Sequence, residues 1–94
     1  MTLVFAPEAL DDLEAAVGYI AQRNPQAAGR FGEAVFATID RLEAREFDGP
    51  EQRLRSGAAV RSWPVPPLRI YYQRDGERLV VLRVYHQARR PILR

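Results

Sequence analysis

The sequence predicts an α+β fold in which a two-helix antiparallel hairpin packs on a small antiparallel β-sheet, in the order β-α-α-β-β-β. Two stretches of the first half repeat apolar residues at three- and four-residue steps, which indicates amphipathic helices. The second half is rich in β-branched and aromatic residues, and Asp75-Gly76 separates two such runs, as is typical of a β-hairpin. A chain of 94 residues has room for one core, so we expect a single domain over residues 1–94.

The first half is predicted to be a short strand and the helical hairpin. Thr2 to Phe5 is apolar, and Pro7 suits the first turn of a helix that continues to Arg23. Asn24-Pro25 is a cap followed by a first-turn proline, so a second helix is expected to run to about Arg45. Acidic residues at the start of the first helix complement its dipole, and we interpret them as a solvated face; the alternative is a paired-carboxylate acid/base site. These residues are Glu8, Asp11, Asp12 and Glu14.

The second half is predicted to form the remaining strands. Glu51 to Ala59 is polar and is expected to be a loop, whereas Val60 to Val65 predicts a strand with Arg61 and Trp63 on one face. Pro66-Pro67 is a stiff corner into the hairpin, whose strands are Leu68 to Arg74 and Glu77 to Tyr85, joined by a type I′ turn at Asp75-Gly76. The expected register places Tyr72 opposite Leu79, Ile70 opposite Val81 and Leu68 opposite Arg83.

Composition excludes several kinds of site. The chain has no Cys and one His, which excludes disulfides and thiolate chemistry and makes a histidine metal cluster implausible, so we expect no metal or other cofactor. No apolar run is long enough for a membrane span, and the first residues lack the features of a signal peptide. We therefore expect a cytoplasmic protein that does not bind membranes.

Charge divides the chain into two halves. Residues 1–52 hold ten Asp and Glu against four Arg, a net charge of −6, and residues 53–94 hold ten Arg against two acids, a net charge of +8. All 14 basic residues are Arg, whose planar guanidinium binds carboxylates and phosphates at two points. This division predicts an anionic partner for the second half, either nucleic acid or an acidic polypeptide.

Three segments together resemble one known family. ALDDLEAAVGYIAQRNPQAAGRF, RSWPVPPLRIYYQRDGERLVVLRV and the closing YHQAR follow one another as in the ParE/RelE superfamily of toxins from bacterial type II toxin–antitoxin systems. The resemblance implies a helical hairpin on an antiparallel sheet. It also implies a cognate antitoxin, usually a DNA-binding dimer with an acidic or amphipathic tail, so that operator DNA would be contacted only indirectly, through the antitoxin.

The two branches of this superfamily act differently. RelE-like members cleave messenger RNA in the ribosome, which requires an acid, a base and cations, whereas ParE-like members bind DNA gyrase. Arg69 matches an Arg of the RelE-like branch, and Arg61 lies near the place of a catalytic Lys without aligning to it. Gln87 stands where that branch has a catalytic Arg, and Leu93 falls on or near its carboxy-terminal Tyr. The resemblance is therefore to the ParE-like branch, a gyrase inhibitor; the alternatives are a RelE-like ribonuclease and a relic that binds antitoxin without toxicity.

The candidate functional residues follow the predicted hairpin and its basic tail. Arg69 and His86 are the candidates if the protein is a catalyst. Arg83 lies in an apolar strand, so we expect either a helix carboxylate to pair with it or a groove to expose it. The aromatic residues Trp63, Tyr71 and Tyr72 could stack on bases, although packing on the sheet is the simpler interpretation. The expected target-binding residues are Arg61, Arg69, Arg83, His86, Gln87, Arg89 and Arg90.

Overall fold

The computed structural model of the protein describes residues 2–54 and 56–86. Within these ranges the α+β fold is confirmed, with two helices and a five-stranded sheet. The elements in chain order are β1 (Thr2–Phe5), α1 (Pro7–Arg23), α2 (Pro25–Glu43), β2 (Glu51–Arg53), β3 (Ala59–Val65), β4 (Leu68–Asp75) and β5 (Arg78–His86).

Both helices begin at the prolines that the sequence indicated. Pro7 and Pro25 occupy the first helical turn, where a missing N–H leaves no internal hydrogen bond unmade. The Asn24 side chain accepts a hydrogen bond from the Ala27 amide at 3.1 Å and so caps α2. Since Asn24 also ends α1, the two helices are joined by a single residue and run antiparallel, as expected.

The sheet has the order β1-β5-β4-β3-β2 and contains two features that the sequence did not predict. β1 pairs with β5 in parallel, so one edge pair differs from the otherwise antiparallel sheet. β2 lies within the stretch from Glu51 to Ala59 that was expected to be a loop, and its residue Gln52 pairs with Val60. Its three residues, Glu-Gln-Arg, have no strand preference of their own. They are extended because they pair with the adjacent strand β3, and a local pattern cannot predict that pairing.

The register of the β4–β5 hairpin differs from the expected one. The two-residue loop is Gly76-Glu77, with φ of 58° at Gly76, so Asp75 pairs with Arg78. Between the loop and Tyr72, the partner of each β4 residue is therefore shifted by two residues along β5 from the expected one. An even offset keeps each side chain on its expected face. The pairs observed are Tyr72 with Val81 where Leu79 was expected, Ile70 with Val84 where Val81 was expected, and Leu68 with His86 where Arg83 was expected.

A β-bulge on β5 explains the rest of the difference. The partners of Tyr72 and Tyr71 are Val81 and Arg83, so Leu82 is an extra residue on the β5 side. Beyond the bulge the alternation changes, and Val84 takes the core position that the expected register would have given to Arg83.

Two apolar clusters lie on opposite faces of the sheet. The larger cluster joins both helices to one face and includes the fully buried side chains of Val35, Ile39, Ile70 and Tyr72. The smaller cluster, formed around Val60, Tyr71 and Tyr85 with Leu54 and Leu82, contains no helix residue. In the part of the chain that the structure describes, α1 and α2 therefore cover only one face. None of the described helices is long and apolar enough to cross a membrane.

Candidate interaction face of the sheet

The face of the sheet that carries the smaller apolar cluster is called the open face here, and it contains a cavity of ≈ 350 Å³. Alternation along β3 and β4 places Ser62 and Arg69 on this face, with Val60 and Tyr71. The lining of the cavity is mainly apolar, and Glu8, Gln52 and Arg83 are the polar residues in it. Its apolar lining residues include Leu54, Val60, Tyr71, Leu82 and Tyr85.

Arg83 meets a helix carboxylate, which confirms the first of its two expected environments. Its Nε and Nη2 donate to the two oxygens of Asp12 at 2.8 and 3.0 Å, and the Val84 amide donates to the same carboxylate at 3.0 Å. The hydrogen bond to Asp12 raises the pKa of Arg83 above its usual value despite some desolvation. The guanidinium also lies 4.4 Å from the centre of the Tyr85 ring.

The assignment of Asp12, from the sequence, to a solvated acidic face is wrong. Its side chain is only 16% exposed and joins α1 to β5 at the bulge. The charge pattern of the first helical turns could not show this, because the partner is 71 residues away along the chain. Arg83 was the available signal, since a cation in an apolar strand requires an acceptor.

Arg69 is the cation of the open face that has no carboxylate partner among the described residues. Its Nε donates to the Ser62 hydroxyl at 2.8 Å, and the residue pairs in register with Tyr85. Burial raises the pKa of the neighbouring Tyr71, and the positive charge of Arg69 opposes that shift. A half-buried guanidinium beside an apolar cavity is suited to binding an anionic group of a partner.

Arg61 lies apart from Arg69. It shares its side of β3 with Trp63, which packs against the helix-covered core, and its Nη1 donates to the Gly49 carbonyl at 2.8 Å. Its ion pairs are with Glu51 at 3.2 Å and Asp48 at 3.6 Å. The structure thus does not bring this expected target-binding residue to the open face, and its contacts hold the loop after α2.

His86 ends β5 on the helix-covered side of the sheet. It pairs in register with Leu68 and lines a second groove, of ≈ 500 Å³, between α1 and this end of the sheet. Three further expected target-binding residues, Gln87, Arg89 and Arg90, lie outside the described residues, as does Leu93.

A hydrogen-bond network around Tyr72 was not predicted from the sequence. This fully buried hydroxyl donates to Asp48 and accepts from the Gly49 amide at 2.8 Å, and Arg74 donates to Asp48 at 3.2 Å. Burial and the hydrogen bond to Asp48 raise the pKa of Tyr72 to about 12. Desolvation opposes ionisation of Asp48, but hydrogen bonds from Tyr72 and Arg74 and the nearby arginine charges outweigh it and lower the pKa of that carboxyl.

The aromatic residues follow the packing interpretation. Trp63 stacks on Phe47 with ring centres 4.1 Å apart, and Tyr72 lies in the main core. Tyr71 packs edge to face against Tyr85, at 5.8 Å, in the floor of the cavity.

The open face is therefore equipped for binding. On its β5 side, the carboxylate of Asp12 is held by Arg83 and the Val84 amide, and Glu8 lines the cavity. Among the described residues, no group of three or more potential metal ligands is close enough to hold an ion. The arrangement provides an apolar floor, a cation and hydrogen-bonding groups, which are the components of a protein contact surface.

Comparison with known proteins identifies the family. The family model described as the ParE toxin of the type II toxin–antitoxin system parDE matches residues 3–91. Among solved structures, a chain of a chromosomal ParDE toxin–antitoxin system from P. aeruginosa has a TM-score of 0.74 at 19% identity, with 92% of this chain and 95% of that chain covered. A YoeB/ParE toxin from Agrobacterium tumefaciens has a TM-score of 0.61 at 24% identity, with 93% and 99% covered. No curated protein matches the sequence significantly. The chain belongs to the ParE toxin family of type II toxin–antitoxin systems.

Proposed function

We propose that this ParE-family toxin inhibits DNA gyrase by direct binding and that a cognate antitoxin neutralises it. The observation that carries the proposal is the match of the ParE family model to residues 3–91, nearly the whole chain. A gyrase target places the action of the toxin in the cytoplasm. Operator DNA would be reached only through the antitoxin.

The chemistry around Arg69 supports binding over catalysis. Cleavage of RNA through its 2′-hydroxyl needs a base, an acid and a cation arranged around one phosphate. Arg69 supplies a cation, but its described side-chain partner is the Ser62 hydroxyl, and Asp12 is already paired with Arg83. Binding to a protein target requires none of these groups to transfer a proton.

The proposed gyrase contact lies at the end of the open face where β5 finishes. Arg69 and Arg83 lie on neighbouring strands there, and His86 is the last described residue of β5. The basic tail that contains Gln87, Arg89 and Arg90 follows directly in the sequence. Arg61 belongs to this contact only if the target also reaches the α2 end of β3.

A supercoiling assay with purified gyrase tests the proposal. We expect the toxin to block supercoiling of relaxed plasmid or to trap cleaved DNA, and a chain truncated after Ala88 to lose this effect while keeping its melting temperature. A variant with Arg23→Gln and Arg30→Gln, at the Asn24 end of the helices, is the matched control and should remain active. If the protein leaves gyrase unaffected and cuts messenger RNA in the ribosomal A site, it is a ribonuclease and the proposal is wrong.

A further inference from the structure

The corner where α2 ends beside β3 and β4 contains a further cavity, of ≈ 370 Å³, whose lining is mainly polar. Neither Arg69 nor Arg83 lines it, so the cavity is separate from the site on the open face. Three guanidinium groups surround it, and this is the side chain that binds anions best at two points. Its lining residues, called the arginine corner here, are Arg45, Asp48, Glu51, Ala59, Arg61, Gln73 and Arg74.

The two carboxylates of the arginine corner are each shared between two arginines. Asp48 pairs with Arg74 at 3.2 Å and with Arg61 at 3.6 Å. Glu51 pairs with Arg61 at 3.2 Å and with Arg53, just outside the cavity, at 3.6 Å. Because three guanidinium groups share two carboxylates, this set of ion pairs keeps a net charge of +1.

Arg45 adds a further positive charge from a backbone position that favours glycine. It follows Ala44, the C-cap of α2, and its φ of 58° lies in the left-handed region, where a side chain is unfavourable. Its side chain lines the cavity and makes no ion pair with a described residue, so the excess charge of the corner rises to +2. An unfavourable conformation that directs a charge to a cavity is typical of a functional site.

The carboxyl end of α2 does not oppose an anion in this corner. Free carbonyl groups at the end of a helix carry partial negative charge. Here the Leu42 carbonyl accepts from Nη2 of Arg74 at 2.8 Å and from the Arg45 amide at 3.1 Å, and Nη1 of Arg61 donates to the Gly49 carbonyl at 2.8 Å. These contacts also hold the Arg61 and Arg74 side chains in place, which lowers the entropy that they lose when an anion binds.

We propose that the arginine corner binds the terminal phosphate group of a small phosphate monoester, such as a nucleotide, with Arg45 supplying the guanidinium that has no carboxylate. A terminal phosphate carries a charge between about −1.5 and −2 at pH 7, which matches the excess of +2. Each phosphodiester of a nucleic acid carries a single charge and matches it less well. The volume of ≈ 370 Å³ lies within the range of small-molecule sites.

An NMR titration of the full-length protein in phosphate-free buffer tests the proposal. We expect adenosine 5′-monophosphate to shift the Nε–Hε signals of Arg45, Arg61 and Arg74 with a dissociation constant below about 1 mM. Adenosine, which lacks the phosphate, should leave these signals unchanged. A short DNA duplex with 5′-hydroxyl ends contains only diester phosphates, and at the same concentration it should not shift these three signals.

The variant Arg45→Gly separates phosphate binding from folding. Glycine relieves the left-handed conformation, so this variant should melt at or above the temperature of the wild type while binding the nucleotide at least about tenfold more weakly. Arg45→Lys keeps the charge but loses the two-point contact, and should bind about threefold more weakly. Arg30→Gln, an exposed change on α2, is the matched control and should bind as the wild type does.

Each contrary result rejects a stated part of the proposal. Wild-type affinity in Arg45→Gly, or equal shifts on adding adenosine, would show that no phosphate contacts Arg45. Shifts of the three arginine signals on adding the duplex would assign the corner to the nucleic-acid backbone and contradict a terminal phosphate. Signals that do not move with the nucleotide at about 10 mM would exclude the site altogether.

Discussion

Tyr72 is the residue through which the central strand β4 holds the loop that follows α2. Its hydroxyl bonds to both Asp48 and the Gly49 amide, so Tyr72→Phe leaves a buried N–H without its partner. We expect this variant to lose about 1–3 kcal/mol of unfolding free energy, measured by urea denaturation. Tyr71→Phe is the matched control on the neighbouring position of the open face and should change stability little. Equal stability of the two variants would contradict the network.

The ionised form of Asp48 stabilises the fold in a pH-dependent way. Its pKa in the folded protein is lowered below the unfolded value, so its contribution is complete above the unfolded pKa and disappears as pH falls through the folded pKa. Between about pH 5 and about pH 2, the wild type should therefore lose more stability than Asp48→Asn does. Thermal melts across this range measure the difference, and parallel curves for the two proteins would be inconsistent with the lowered pKa.

The loop between α2 and β2 packs so closely against β3 that only glycine fits at position 49. A Cβ on Gly49 would lie 1.8 Å from the backbone oxygen of Ser62, whereas a Cβ on Gly18 in α1 would meet nothing within 4 Å. Gly49→Ala should cost at least about 2 kcal/mol because loop or strand backbone must move. Gly18→Ala should instead stabilise the protein by about 0.5–1 kcal/mol through helix propensity. Chemical denaturation checks both, and a Gly49→Ala protein as stable as the wild type would contradict the close approach.

The contact between α1 and β5 depends on Asp12. Because its carboxylate accepts from both Arg83 and the Val84 amide, Asp12→Ala leaves a half-buried cation and an amide without their acceptor. We expect a loss of about 2 kcal/mol in unfolding free energy and faster hydrogen exchange at Val84. Glu14→Ala, an exposed acid on the same helix, is the control and should change neither quantity. Exchange at Val84 that is equally slow in both variants would show that the contact is unimportant.

The elements differ in how far the sequence could predict them. The helices were predictable because their signals are local, namely prolines in the first turn, the Asn24 cap and apolar periodicity. The pairing of β2, the parallel position of β1 and the bulge at Leu82 were not, because each depends on residues far away in the chain. A strong turn signal at Asp75-Gly76 located the hairpin but not its loop, which is one residue further along.

For the molecule as a whole, the candidate site was predicted in part. The resemblance pointed to Arg69 and His86, and Arg83 was singled out by its place in an apolar strand. The structure places Arg69 and Arg83 on the open face, whereas His86 lies on the helix-covered side of the sheet with its pair partner Leu68. The sequence alone could not show that Asp12 neutralises Arg83, or that the Arg61 side chain bonds to the loop after α2 on the opposite side of the sheet, since both facts depend on tertiary contacts. The charge division of the sequence corresponds to a division of the fold, because the basic half contributes β3, β4 and β5 with the apolar cluster that the described helices do not cover.

Cell viability after induction of the toxin, alone and together with the gene adjacent to it, tests the central claim most directly. An active toxin neutralised by a cognate antitoxin should stop growth when expressed alone, and co-expression should restore growth. Unaffected growth in cells that contain the folded toxin, with antitoxin binding retained in vitro, would contradict the claim and identify the protein as a relic that binds antitoxin without toxicity.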